Sequence, residues 1–172
     1  HVLTAGHTVS LNTSFGTTKF IPAYSLSDMP FGYAYPEIIY IPNNYAVSSA
    51  TDYAIIKLDR PLGSLTGWVG YGYNANSSFY LNNNTFFNPS YPSAGNYNGE
   101  LLYNWKGKLD YITSEYAYSF RTGIVGMSGS PLFTSINNDL VTYGILTSTG
   151  IKFNKLTAAK FDAINTAISN DL

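Results

Sequence analysis

The chain has 172 residues, a net charge of −1, charged side chains at only 11% of positions and no cysteine. This composition offers no basic field to a nucleic acid and no acidic tail, and it excludes disulfides and thiolate metal sites. The length suits one compact domain or two small subdomains sharing an interface, and no apolar run approaches the roughly 20 residues of a membrane span, so neither nucleic acid nor membrane is an expected partner.

The chain opens on HVLTA (1–5), an apolar strand pattern with no leader, cap or turn before it. Upstream residues are therefore expected to have been removed, to be disordered, or to lie on another chain. Short apolar or alternating runs follow, separated by Gly, Pro, Asn and Ser: TKFIPAY (18–24), EIIYIP (37–42), YAIIKL (53–58), GWVGYGY (67–73) and SFYL (78–81). The series continues through LLYNWKGKLDYIT (101–113), YAYSF (116–120), SPLF (130–133) and LVTYGILTS (140–148). Their β-branched and aromatic content predicts antiparallel strands of a sandwich or barrel, an all-β fold. The stretch 71–98, rich in Asn, Ser, Tyr and Pro, reads as a connection between two halves. Only the tail departs: Leu156, Ala159, Phe161, Ile164 and Ile168 fall near helical spacing, with Thr157 or Asn154 available as a start signal. Glycosylation sequons stand at Asn12, Asn76 and Asn83, and the Tyr- and Asn-rich polar share suits an extracellular surface.

Three residues carry chemistry. In GMSGSPLF (126–133), Ser128 lies among glycines that permit unusual backbone geometry and leave amide N–H groups free to converge. Such convergence is what an oxyanion hole requires, and Gly126 and Ser128 are the expected donors. A serine hydroxyl needs a base. Of the two histidines, His1 stands at the first position, whereas His7 follows the first apolar strand at a place where a turn exposes it. The imidazole in turn needs a buried carboxylate to fix its tautomer, and Asp52 stands at the lip of the apolar strand YAIIKL. The order is His7, Asp52, Ser128, with the acid 45 residues after the base and the serine 76 after the acid.

VLTAGH (2–7), DYAIIKL (52–58) and GMSGSP (126–131) resemble the three triad blocks of the chymotrypsin-like serine peptidases. PFGYAYPEIIYIPNNY (30–45), LDRPLGSLTGWVGYGYN (58–74), NPSYPSAG (88–95) and the SGSP variant with Ser130 are similar to the bacterial glutamyl endopeptidase branch. The resemblance implies two antiparallel β-barrels, residues 1–75 with His7 and Asp52 and residues 76–153 with Ser128, followed by a helix over 154–172, together one peptidase domain. It implies a secreted serine endopeptidase that acts on protein or peptide substrates without cofactor or metal. The family's first strands have no counterpart before His7, so either a companion segment or chain completes the first barrel or the chain is a fragment. The alternative is a catalytically silent relative serving as a binding or assembly module. Met127 replaces the acidic residue that the trypsin branch pairs with a freed N-terminus.

The resemblance also bears on specificity. The glutamyl branch carries a pocket His in a GIH context; here GILTSTG puts Leu146 at that place. Thr122 and Gly123 are expected on the other wall, with Thr147 and Thr149 on the strand side. These neutral groups predict an uncharged substrate side chain. Arg121 alone offers charge, and at a strand edge it is expected to point to solvent.

Overall fold

A computed structural model of the chain describes residues 1–10, 18–148 and 150–171. The sequon at Asn12 and the expected pocket residue Thr149 lie outside the described residues. The first sheet comprises β1 (Val2–Thr4), β2 (Pro36–Tyr40) and β3 (Ala54–Leu58), antiparallel in the order β1-β3-β2. β3 is central because it is the most apolar of the three: Ala54, Ile55 and Ile56 are all buried.

The second sheet is larger. In chain order its strands are β4 (Gly70–Tyr71), β5 (Phe86–Ser90), β6 (Tyr103–Gly107), β7 (Tyr111–Ile112) and β8 (Tyr116–Tyr118). β9 (Pro131–Ile136), β10 (Asp139–Ser148) and β11 (Lys152–Lys155) complete it. The antiparallel path runs β6-β5-β9-β10-β11-β8-β7, and β4 lies parallel beside β10. β9 and β10 form a hairpin through Asn137 and Asn138, whose φ values of 52° and 72° are the left-handed pair that a tight two-residue turn demands. Asparagine tolerates that region better than most residues. Phe86, Leu132 and Phe153 are wholly buried at the centre of this half.

Short helical turns join the strands: α1 (His7–Ser10), α2 (Gly63–Thr66) and a π-helical turn over Phe79–Asn83. The terminal helix α3 (Ala158–Ser169) begins at Thr157, whose side chain accepts from the Lys160 N–H. Asn154, the other candidate start, sits inside β11. α3 packs Ile164 and Ala167 against Ile55 of β3 and Leu156, so the end of the chain covers the first sheet. Ile164→Ala is expected to lower the unfolding free energy by about 2–5 kcal/mol through lost burial and a residual cavity, read as a fall in urea midpoint at unchanged slope.

The all-β expectation and the terminal helix hold. Several runs read as strands do not: TKFIPAY holds only an isolated bridge at Phe20, and GWVGYGY only the two residues of β4. SFYL forms the π-helical turn rather than a strand, because Tyr80 is drawn wholly into the core, and Asn84 Nδ2 donates to the Phe79 carbonyl. LLYNWKGKLDYIT breaks into β6 and β7. β4, inside the expected 1–75 unit, pairs with β10 of the second sheet.

Candidate active site

Strand register brings His7 to Asp52. β1 and β3 run antiparallel with Thr4 opposite Ala54, so continuing β1 by two residues and β3 back by two brings Gly6 level with Asp52. The chain turns into α1 there, and His7 reaches the carboxylate twice. Its backbone N–H donates to Asp52 Oδ1 at 2.9 Å, and its Nδ1 lies 2.8 Å from Oδ2. Asp52 is fully buried and takes a third donor, the Ser48 N–H, at 2.7 Å. A carboxylate accepts, so in the neutral imidazole Nδ1 is the nitrogen that carries the proton and Nε2 the one with the lone pair. Gly6 is required at this bend because a Cβ there would lie 2.6 Å from the Tyr45 ring. His1 takes no part: its Nε2 pairs with Asp171 Oδ2 at 2.5 Å.

Ser48 escaped the sequence reading. It holds φ of 58°, an uncommon value for a residue with a Cβ, which aims its N–H at Asp52. Its Oγ donates to the Thr147 carbonyl at 3.2 Å. The only sequence signal was the run of small hydroxyl residues SSAT ahead of the aspartate.

The serine turn is tied to the second sheet. Gly129 N–H donates to the Leu146 carbonyl and Leu146 N–H to the Ser130 carbonyl, both at 2.8 Å, which fixes the turn along β10. Met127 is buried in the core, its N–H donating to Ile124 O and its Sδ accepting from Ile124 N, so this position anchors the turn by packing. Gly126 and Gly129 hold φ of 93° and 81°. The N–H groups of Gly126 and Ser128, the expected oxyanion donors, find no acceptor among the described residues. A Cβ on Gly129 would come within 3.3 Å of Ala5 N and closer still to Thr4 Oγ1. The half-buried Ser128 therefore sits in a turn that abuts the segment leading into His7.

The expected pocket residues are divided. Thr122 lines a cavity of about 260 Å³ with Arg121, Ile124, Met127, Tyr103 and Trp105, and no Asp or Glu is among its walls. Gly123 sits within the same loop. Leu146 is 1% and Thr147 2% exposed, so neither presents a side chain to a ligand; the Thr147 hydroxyl donates to the Lys152 carbonyl. Arg121 corrects the expectation that it points to solvent. It turns inward, its guanidinium 4.4 Å above the Trp105 ring and donating to Asn88 Oδ1 at 2.5 Å. Its Nε is buried without a hydrogen-bond partner among the described residues. Burial pulls its pKa down to about 10, which leaves it a cation at neutral pH. Asn88 also donates to Ser130 Oγ at 2.8 Å, linking the arginine to the residue two after Ser128. Among the described residues no group of three or more His, Asp or Glu is arranged to hold a metal.

With two largely antiparallel sheets and this His–Asp pair, the chain is similar in fold and sequence to chymotrypsin-like serine peptidases. The glutamyl endopeptidase of Bacillus licheniformis is 29% identical over 142 residues, covering 77% of this chain and 42% of that protein. The chain thus spans about two fifths of the length of that curated relative. A solved Glu endopeptidase superposes with a TM-score of 0.74 at 25% identity, over 97% of this chain and 80% of its own. The protease Anisep from Arthrobacter nicotinovorans (TM-score 0.71, 21% identity, 96% and 82% covered) shares the fold. So does the thermostable serine protease AL20 from an extremophilic microorganism (0.75, 18%, 98% and 83%). No family model matches the chain.

Proposed function

We propose that the chain is a serine endopeptidase acting outside the cell on protein or peptide substrates, with Ser128 as nucleophile, His7 as general base and Asp52 as the acid that orients it. The observation that carries this reading is the three-donor cradle of Asp52, which leaves His7 with Nε2 as its basic nitrogen. Ser128 Oγ attacks the scissile carbonyl as His7 Nε2 takes its proton. The developing oxyanion is met by the N–H groups of Gly126 and Ser128, and His7 then returns the proton to the leaving amine. Water then attacks the acyl carbon while giving a proton to His7, and His7 passes that proton to Ser128 Oγ as the acyl group leaves. The test is a serine-directed phosphonate on the intact chain: stoichiometric attachment at Ser128, absent in Ser128→Ala, is the expected result. No attachment would favour the silent binding module.

A specific observation also bears on substrate choice. Arg121 brings a partly desolvated cation, with no carboxylate beside it, to a cavity walled by the loop that ends at Ser128. Such a site favours an anionic side chain, because the buried charge gains the counterion it lacks. The likeness to a glutamyl endopeptidase points the same way. In a peptide library varying only the residue before the scissile bond, Glu is expected to exceed Leu, Phe and Ala, and Arg121→Met to remove that preference while neutral peptides are still cut. Equal cleavage of Glu and Leu peptides by the parent would return the reading to a neutral pocket.

A further inference from the structure

Two buried polar side chains lie outside the site and yet converge on the loop that carries its acid. Lys160 of α3 is only 6% exposed, and its Nζ donates to Glu115 Oε2 at 2.8 Å, Asn154 Oδ1 at 2.6 Å and the Lys155 carbonyl at 3.0 Å. All three ammonium donors are used. With its Oδ1 engaged by the lysine, Asn154 must turn its Nδ2 the other way, towards the carbonyls of Ala50 at 3.0 Å and of Ser49 and Asp52 at 3.4 Å. These are the backbone groups just before and at Asp52, in the loop whose Ser48 N–H completes the carboxylate's cradle.

Stability alone explains this arrangement poorly. Burying an ammonium is costly, and well-packed apolar residues of similar volume often serve a core equally well or better. What an apolar pair cannot do is fix the direction of three carbonyls and hence the tilt of the carboxylate beyond them. We propose that Lys160 and Asn154 are positioning residues: α3, through Lys160 and then Asn154, sets the conformation of the 48–52 loop, and thereby the angle at which Asp52 holds His7 Nδ1. The proposal rests on the triad reading above. It adds that the terminal helix contributes to the rate of the chemical step and not to substrate binding, because misplacing a catalytic group by about 1 Å can cost on the order of 10² in rate.

The experiment compares the parent chain with Asn154→Leu, Lys160→Met and the core control Ile164→Val. Phosphonate labelling of the parent comes first; if the parent does not react, the triad reading fails independently of this proposal. With a labelled parent, Asn154→Leu is expected to lower kcat at least tenfold with KM within threefold. The low-field proton NMR signal of the His7–Asp52 hydrogen bond should shift or broaden. Ile164→Val should lose stability and keep kcat. Should Asn154→Leu not fold, Lys160→Met is read by the same criterion, since Glu115 is solvent-accessible and stays hydrated when the ammonium is gone. A kcat within threefold of the parent, or a loss carried by KM, would overturn the proposal and leave the pair as a tie between helix and loop.

Discussion

Ser128→Ala, His7→Ala and the double variant are each expected to lower kcat/KM by about 10⁴–10⁶, with the double losing no more than the worse single. In the proposed mechanism the proton that leaves Ser128 Oγ has one destination, His7 Nε2, the nitrogen left basic when Asp52 holds the proton of Nδ1 on the other side. Remove either residue and the transfer is gone, so there is nothing left for the second change to take. Residual activity should persist above the uncatalysed rate, since the Gly126 and Ser128 N–H groups remain. Initial rates on a chromogenic peptide decide the matter. Losses that multiply would mean the two residues act in separate steps.

Gly129→Ala is the second large effect, and it comes from geometry rather than from lost chemistry. The position holds φ of 81° and has its missing Cβ aimed at Thr4 and Ala5. An added methyl forces the serine turn away from the strand that leads to His7, and a displacement of about 1 Å there is expected to cost on the order of 10² in kcat. Stability should fall as well, because the φ strain alone is worth about 1–3 kcal/mol. Gly95→Ala separates the two contributions. Gly95 also has positive φ, 66°, but nothing lies within 4 Å of its missing Cβ. It should pay only the backbone strain and keep its kcat. If Gly129→Ala retained parental kcat, the close approach of turn and strand would be irrelevant to the reaction.

How far the sequence was readable follows from where each signal resides. His7, Asp52 and Ser128 stand beside local features, the end of an apolar strand, the start of another and a glycine turn, and these survive in one dimension. The tail helix was legible for the same reason, its period being intrinsic to the segment. Ser48 was not legible because a positive φ at a residue with a Cβ leaves little trace in the sequence, and Asn154 and Lys160 were not because their partners lie on other elements, Ala50 for Asn154 and Glu115 for Lys160. Arg121 shows the limit most clearly. A strand-edge arginine is ordinarily solvated; here Asn88 and the Trp105 ring, both from earlier strands, draw it inward. SFYL failed as a strand because Tyr80 gains more from full burial than an exposed strand would give it.

The packing of α3 on β3 sets an order in time. Residues 158–169 leave the ribosome after every strand they cover, so during synthesis the first sheet waits without its lid, and the 48–52 loop waits for Asn154 and Lys160. Until the helix has emerged and docked, the aspartate lacks its final support. On the proposed function, a growing chain is a poor cutter of itself and of its neighbours until α3 has docked.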